Sequence, residues 1–153
     1  MKIEIRINES EPESVIINCR ERSDQVLLIE SAIENALRGI GEMMLYIDGT
    51  EYYVSKNDIL FFESYDGKVY AHTKDKMYLS TYRLFELEDI MPSYFVRISK
   101  SVVVNIKLIS SLHRELTGNG ELTFKGCSKK TYFSRGYYKV LKDKIEEVRF
   151  SVR

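Results

Sequence analysis

Two basic, hydroxyl-rich segments in the C-terminal part of the chain carry the side chains with the clearest binding chemistry. The first is FVRISKS, residues 95–101, in which Arg97 and Lys100 interrupt an apolar run. In a strand, successive side chains point to opposite faces, so the apolar residues can face a core while Arg97 and Ser99 face away from it. The polar face then leads into Ser99, Lys100 and Ser101, whose donors suit phosphates and base edges.

The same segment continues as VVVNIKL, where Val104 and Asn105 precede another lysine. An asparagine followed by Ile-Lys-Leu is typical of a cap that opens one helical turn, which favours a structural role for Asn105. For the basic cluster itself, the residues alone leave two interpretations open. It is a nucleic-acid contact, or a charged strand edge that opposes aggregation.

The second basic segment is KGCSKKTYFSRGYYK, which contains Lys130, Ser134 and Arg135. These residues gather at a predicted strand-to-helix junction with Ser134 as the helix N-cap, and a helix N-terminus attracts phosphate. A third candidate is Lys68, at the tip of the predicted hairpin YDGKVY. A lysine on a hairpin tip is more often simply solvated.

Catalytic motifs are missing from the sequence. There is no glycine-rich phosphate loop, nucleophile elbow, dinucleotide fingerprint or metal-ligand spacing. Cys19 and Cys127 are far apart, and His72 and His113 are isolated. The sequence therefore predicts a binding protein and not an enzyme, with no cofactor, no metal and no small-molecule substrate.

Composition and charge narrow the class of protein. The chain has 153 residues, of which 44% are hydrophobic and 30% charged, as in a soluble globular domain. It has no apolar run of membrane-spanning length and no signal-like N-terminus, which predicts a cytoplasmic location. Residues 1–94 hold 10 Lys and Arg against 18 Asp and Glu, a balance of −8, and residues 95–153 hold 13 against 5, a balance of +8. Such segregation suggests a surface for a polyanion, or only an intramolecular dipole.

Residues 1–42 are predicted to form an extension of two strands and a helix. MKIEIRI alternates apolar and polar residues, SVIINCR is rich in β-branched residues, and residues 23–39 have helical spacing of apolar residues behind Ser23. The apolar stripe of that helix must pack on something, either the rest of this chain or a second copy. We therefore expect the extension to be a dimerisation or partner surface.

Residues 43–153 are predicted to form a β-dominated α+β domain of packed antiparallel sheets with short helices. Short runs rich in Tyr, Phe, Val and Ile alternate with turn dipeptides such as Asp48-Gly49 and Asp66-Gly67, which favours antiparallel ribbons. Short helices are predicted over residues 83–92 and over residues 135–148, the second behind Ser134.

Three stretches in this domain resemble the LytTR family of bacterial DNA-binding domains. They are DILFFESYDGKVYAHT, FVRISKSVVVNIKLISSL and TYFSRGYYKVLKDKI, in the family's order and spacing. The resemblance implies that loops, and not a recognition helix, enter successive major grooves of double-stranded DNA. It maps these loops to residues 65–68, 99–101 and 134–136, and the family's buried Val-Asn pair to Val104 and Asn105.

The sequence departs from the family pattern at two loop positions. Ser99 stands where histidine is frequent, and Gly136 stands where an arginine is sometimes used, directly after Arg135. The forty or so residues before the domain are too few for a receiver domain, so the resemblance is to a stand-alone regulator. It implies a homodimer on paired direct repeats, controlled by abundance or by a membrane-associated regulatory protein.

Two other functions compete with sequence-specific DNA binding. The basic half could bind an acidic protein, or the acidic half of a second copy, as a protein-interaction module. RNA binding is a third hypothesis, although it favours aromatic residues exposed on a sheet face, and the tyrosines here could equally be packed between sheets.

Overall fold

The computed structural model describes residue 2 and residues 4–150 of the chain. Ten strands in two antiparallel sheets and three α-helices form the described part. The predicted β-dominated α+β fold of packed antiparallel sheets is therefore confirmed. Asp48 and Asp66 adopt left-handed backbone angles before their glycines, as the predicted two-residue turns require.

Seven strands form the larger sheet. In chain order they are β1 (Glu42–Ile47), β2 (Thr50–Ser55), β3 (Phe61–Tyr65), β4 (Lys68–His72), β5 (Met77–Ser80), β6 (Phe95–Arg97) and β7 (Val102–Asn105). Their spatial order is β2-β1-β5-β4-β3-β7-β6, and every neighbouring pair is antiparallel.

The smaller sheet has three strands, β8 (Ile109–Arg114), β9 (Gly120–Phe124) and β10 (Lys130–Phe133), in the order β10-β9-β8. The α-helices are α1 (Asp24–Gly39), α2 (Leu84–Ile90) and α3 (Tyr138–Arg149). Three 3-10 turns complete the described elements, at Lys56–Asp58, Ile106–Leu108 and Arg135–Tyr137.

The middle of the larger sheet is buried on both faces. Phe62 and Val103 point into one apolar cluster, which includes Leu87 of α2. Their neighbours Phe61 and Val104 point into a second cluster, formed with residues of the smaller sheet and α3. Adjacent strand residues face opposite sides, so a strand covered on both faces is apolar throughout. This explains why β7 has no alternating pattern.

The two strands predicted near the N-terminus are not formed in the described residues 4–22. Ile5, Ile7, Val15 and Ile16 are between 65% and 91% exposed, because no neighbouring strand covers them. An alternating pattern indicates which residues share a face, but a strand also needs a hydrogen-bonding partner. Met1 and Ile3 of the first predicted strand lie outside the described residues.

The predicted N-terminal helix is confirmed as α1. Ser23 precedes it, and its hydroxyl accepts a hydrogen bond from the Val26 N–H at 3.4 Å. The chain divides into two compact units, 1–33 and 34–153, so the division falls within α1. The boundary predicted between residues 42 and 43 stays a prediction. No helix in residues 4–150 has the length and apolar composition needed to cross a membrane.

Candidate nucleic-acid interface

Three loops of the domain meet at one end of the two sheets. The Ser64 N–H at the end of the β3–β4 hairpin donates to the carbonyl of Ser101 at 2.7 Å. The Ser134 N–H, just after β10, donates to the carbonyl of Ile98 at 2.9 Å. We call residues 65–68, 98–101 and 134–136 the loop face. Its three segments are held side by side by main-chain hydrogen bonds.

The first segment is a tight hairpin turn. Asp66 and Gly67 have φ values of 50° and 74°, the left-handed angles of a two-residue turn between antiparallel strands. Tyr65 pairs with Lys68 across the hairpin, and both side chains are exposed. The hairpin therefore presents an aromatic ring and a cation next to each other.

The second segment turns between β6 and β7. The Ile98 N–H donates to the carbonyl of Val102 at 3.0 Å, and the Ser99 hydroxyl accepts from the Ser101 N–H at 3.2 Å. Ser99 is buried by this arrangement, whereas Lys100 and Ser101 are exposed. Among the hydroxyl residues of this loop, Ser101 is thus the accessible one.

Arg97 is used to hold that loop. Its guanidinium donates to the carbonyl of Ser99 at 2.7 Å and to the carbonyl of Lys100. A third donor lies 3.0 Å from Oε2 of Glu88 in α2. The sequence pattern groups Arg97 with the contacting cations, but these bonds engage its guanidinium within the protein.

The third segment leads into α3, and this helix begins later than the sequence pattern predicts. Ser134 precedes the 3-10 turn Arg135–Tyr137, makes no capping hydrogen bond with its side chain, and is followed by α3 only from Tyr138. The Arg135 N–H instead donates to Oδ1 of Asn119 at 2.8 Å. The prediction that Ser134 caps the last helix is therefore wrong, because the 3-10 turn separates Ser134 from the first residue of α3.

Lys130 lies away from the loop face. It begins β10, whereas Ser134 follows the last residue of that strand, about 13 Å away at strand geometry. Its ammonium is 3.3 Å from Oε1 of Glu121 on the neighbouring strand. The structure therefore does not bring Lys130 together with Ser134 and Arg135.

Val104 and Asn105 lie at the other end of β7, buried at 0% and 1% exposure. The Asn105 amide donates to the carbonyl of Ile59 at 3.0 Å, and its Oδ1 accepts from the Lys107 N–H at 3.0 Å. The Asn105 N–H donates to the carbonyl of Leu60 at 2.8 Å. The side chain thus joins two connections that are distant in sequence.

A groove of about 320 Å³ opens between the loops. Ser99, Ser101 and Ser134 contribute to its walls, together with residues that the sequence analysis did not single out as site residues: Glu63, Glu115, Asn119 and Thr131. The Gly118-Asn119-Gly120 turn was visible in the sequence only as a turn. Its position beside Arg135 depends on pairing between distant strands.

Glu63 also lies next to a partly buried histidine. Its Oε2 is 3.2 Å from Nε2 of His72, and the His72 ring stacks on Phe61 with 4.2 Å between ring centres. Burial of the ring, and secondly the positive charge of Lys129, lower the pKa of His72 from 6.5 to about 4. His72 is therefore neutral at neutral pH.

The exposed cations of the loop face differ from the basic residues around them. Within the described part of the chain, the side chains of Lys68, Lys100 and Arg135 make no hydrogen bond or ion pair. In contrast, the charged groups of Arg97 and Lys130 have partners, as described above. Three unpaired cations therefore lie on one hydrogen-bonded surface, whose groove also has the carboxylates of Glu63 and Glu115 in its lining.

Comparison with known proteins agrees with this architecture. The family model of the LytTr DNA-binding domain matches residues 49–146. Proteins described as uncharacterized HTH-type transcriptional regulators of Staphylococcus aureus are 34% identical over 146 residues in strain NCTC 8325 and 33% in strain MRSA252, covering 95% of this chain and 98% of each relative.

A solved structure supports the same fold. It is the LytTr DNA-binding domain of a putative methyl-accepting/DNA response regulator from Bacillus cereus, with a TM-score of 0.64 and 19% identity, and the match covers 70% of this chain and 98% of that one. Five strands separate each successive pair of α-helices in the described chain, so these helices do not form a helix-turn-helix pair. By the extent of the family match and by the full-length relatives, the chain belongs to the LytTr DNA-binding domain family.

Proposed function

We propose that this protein is a sequence-specific transcriptional regulator whose loop face enters successive major grooves of double-stranded DNA. The observation that carries the proposal is the set of three unpaired cations, Lys68, Lys100 and Arg135, on loops joined by main-chain hydrogen bonds. The relatives, which match over nearly the whole chain, are described as transcriptional regulators, and this supports a regulatory role that is not enzymatic.

The proposed contacts divide between phosphates and bases. Lysine and arginine charges attract the DNA backbone and fix the register, whereas lysine, arginine and serine donors at the loop tips contact base edges. Lys100 and Ser101 are exposed on the central loop, and Arg135 is exposed on the last loop, so these are the proposed base contacts. Lys68, beside the exposed ring of Tyr65, is proposed to contact the backbone.

The remaining predicted residues take supporting roles. Arg97 and Ser99 hold the central loop through hydrogen bonds, and Val104 and Asn105 anchor the far end of the strand that follows it. Lys130 is paired and distant from the loops, so we no longer place it among the DNA contacts. The loop face thus consists of a few contacting side chains on a preorganised frame.

We further propose a homodimer on paired direct repeats, acting in the bacterial cytoplasm where the chromosome lies. Control would come from abundance or from a membrane-associated regulatory partner. The exposed apolar residues of 4–22 offer a surface for such contacts.

Fluorescence anisotropy with a labelled duplex from upstream of the protein's own gene tests the proposal. We expect Lys100→Ala to weaken binding by about 1–3 kcal/mol, with relaxed preference at one base position, because a lost base contact has that effect. Lys74→Ala is the matched control. Lys74 is also exposed, but it follows the end of β4 that is far from the loop face, whereas Lys68 begins that strand. Affinity no better than for a scrambled duplex at moderate salt would refute sequence-specific binding.

The competing protein-interaction function has one observation in its favour, the segregation of acidic and basic residues between the two halves of the chain. Gel filtration with and without DNA separates the two functions. Pairing between acidic and basic halves predicts oligomers that dissociate as salt is raised and no shift with DNA.

A further inference from the structure

The β8–β9 turn is a rigid element beside the loop face. Between Arg114 and Gly120, the Glu115 N–H donates to the carbonyl of Asn119, and the Gly118 N–H donates back to the carbonyl of Glu115, both at 2.9 Å. These bonds close the turn on itself. Its main chain therefore has a defined course at the end of the smaller sheet.

The turn is also pressed against the end of β10. A Cβ atom at Gly120 would lie 2.2 Å from the carbonyl oxygen of His113 and 2.3 Å from Cζ of Phe133. Real Cβ atoms essentially never come closer than 3.0 Å to another heavy atom. Phe133 is buried and directly precedes the loop of residues 134–136, so the turn and that loop share one packed support.

Two contacts connect the turn to Arg135. Oδ1 of Asn119 accepts a hydrogen bond from the Arg135 N–H at 2.8 Å. At Gly118, which has a φ of 90°, a Cβ would lie 2.5 Å from Cδ and 2.6 Å from Cγ of Arg135. The aliphatic part of the arginine therefore lies directly on the glycine backbone, and its main chain is held by the asparagine.

We propose that Gly118 and Asn119 are positioning residues that aim the guanidinium of Arg135 at DNA. The inference rests on the proposed function and adds residues outside the three loops of the loop face. An arginine loses much side-chain freedom when it is fixed on a ligand, and a stem that is already held loses less. The turn thus supplies preorganisation for a cation that itself makes no hydrogen bond through its side chain in the described chain.

Asn119→Ala is the primary test. Its affinity for the labelled duplex from upstream of the protein's own gene is measured by fluorescence anisotropy. We expect a threefold to tenfold loss of affinity, because the loop loses its anchor. In an Arg135→Ala background the same substitution should have no further effect, since Asn119 acts only through Arg135. Asn57→Ala, an exposed asparagine outside the loop face, is the matched control and should leave affinity unchanged.

Amide hydrogen exchange tests the anchor without DNA. Exchange at the Arg135 amide should become at least about tenfold faster in Asn119→Ala, while amides of the central strands keep their rates. Unchanged exchange at Arg135, or an equal loss of affinity with and without Arg135, would overturn the positioning role. If exchange accelerates but the wild type does not distinguish its own duplex from a scrambled one, the anchor stands, while the proposed function and the aiming role both fall.

Discussion

The two connections that flank β7 use the same local hydrogen bond for different purposes. Before the strand, the Ser99 hydroxyl accepts from the N–H of Ser101, two residues later. After the strand, Oδ1 of Asn105 accepts from the N–H of Lys107, also two residues later. The side chain of Ser99 is too short to reach beyond its own loop. The longer side chain of Asn105 has an amide that donates to the carbonyl of Ile59 in the core.

The lysines at the two ends differ accordingly. Lys100 is exposed with no partner for its ammonium in the described residues, whereas Lys107 lies with its ammonium 4.1 Å from the centre of the Tyr94 ring. One end of β7 therefore has an exposed charge without a partner in the described residues, and the other end fixes the strand. The two ends differ in whether the capping side chain has a second hydrogen-bond partner in the core. With that partner the connection is structural, and without it the loop is free to contact a ligand.

The largest expected effect is at the buried end. Asn105→Ala should lower the free energy of unfolding by about 2–4 kcal/mol, because it removes two hydrogen bonds and leaves the Ile59 carbonyl without its partner in the core. Urea denaturation measures this change, with Asn18→Ala as the control, because Asn18 is exposed and its side chain makes no hydrogen bond in the described residues. Equal, small losses in the two variants would show that the buried amide does not anchor the strand.

The second-largest expected effect is on the pH dependence of stability. It concerns His72, which pairs with Phe61 across the sheet near the buried end of β7. Its pKa is lowered from 6.5 to about 4, so between these values the unfolded chain binds a proton that the folded chain does not. Stability should therefore be full above pH 6.5 and fall as the pH drops toward 4, by up to about 2 kcal/mol between pH 7 and pH 5.

His72→Phe should remove this part of the acid sensitivity while keeping an aromatic ring against Phe61. Thermal unfolding at pH 7 and pH 5 provides the measurement. The substitution removes the ring nitrogen that lies 3.2 Å from Oε2 of Glu63 and leaves Glu63 itself in place. A variant as acid-sensitive as the wild type would contradict the assignment to His72.

The smallest expected effect is at the loop end. Arg97→Ala should weaken DNA binding about tenfold, or about 1.4 kcal/mol, by releasing the carbonyls of Ser99 and Lys100. Because Arg97 is proposed to act by holding Lys100 in place, the double variant with Lys100→Ala should bind no worse than Lys100→Ala alone. Additive losses in this cycle would instead place Arg97 itself on the DNA.

The elements of the domain could be predicted from sequence because their signals are local. Asp-Gly turns, runs rich in Tyr, Phe, Val and Ile, and helical spacing located most strands of residues 43–133 and the helices α1 and α2. Strand β7 was not located, because it is buried on both faces and has no alternating pattern. The start of α3 could not be placed, because Asn119, sixteen residues before Arg135, holds the 3-10 turn that precedes the helix. The N-terminal strands failed for a related reason, since periodicity does not supply a pairing partner.

The sequence predicted which loops form the candidate site. It did not predict which of the basic side chains are paired within the protein. Lys100 and Arg135 are exposed, whereas Arg97 bonds to Glu88, which belongs to a different element, and Lys130 bonds to Glu121 on the adjacent strand. A sequence shows where a cation stands. Only the packing of distant segments decides whether that cation has a partner.

The main-chain tethers of the loop face have a consequence for how this protein could diversify. The bonds from Ser64 to Ser101 and from Ser134 to Ile98 join peptide groups, so they do not depend on which side chains stand at Lys100 or Arg135. Under the proposed function, exchange of those exposed side chains would alter base preference while the frame keeps its shape. Related proteins could therefore come to recognise different DNA sequences through one or two substitutions at exposed loop residues, with no change of fold.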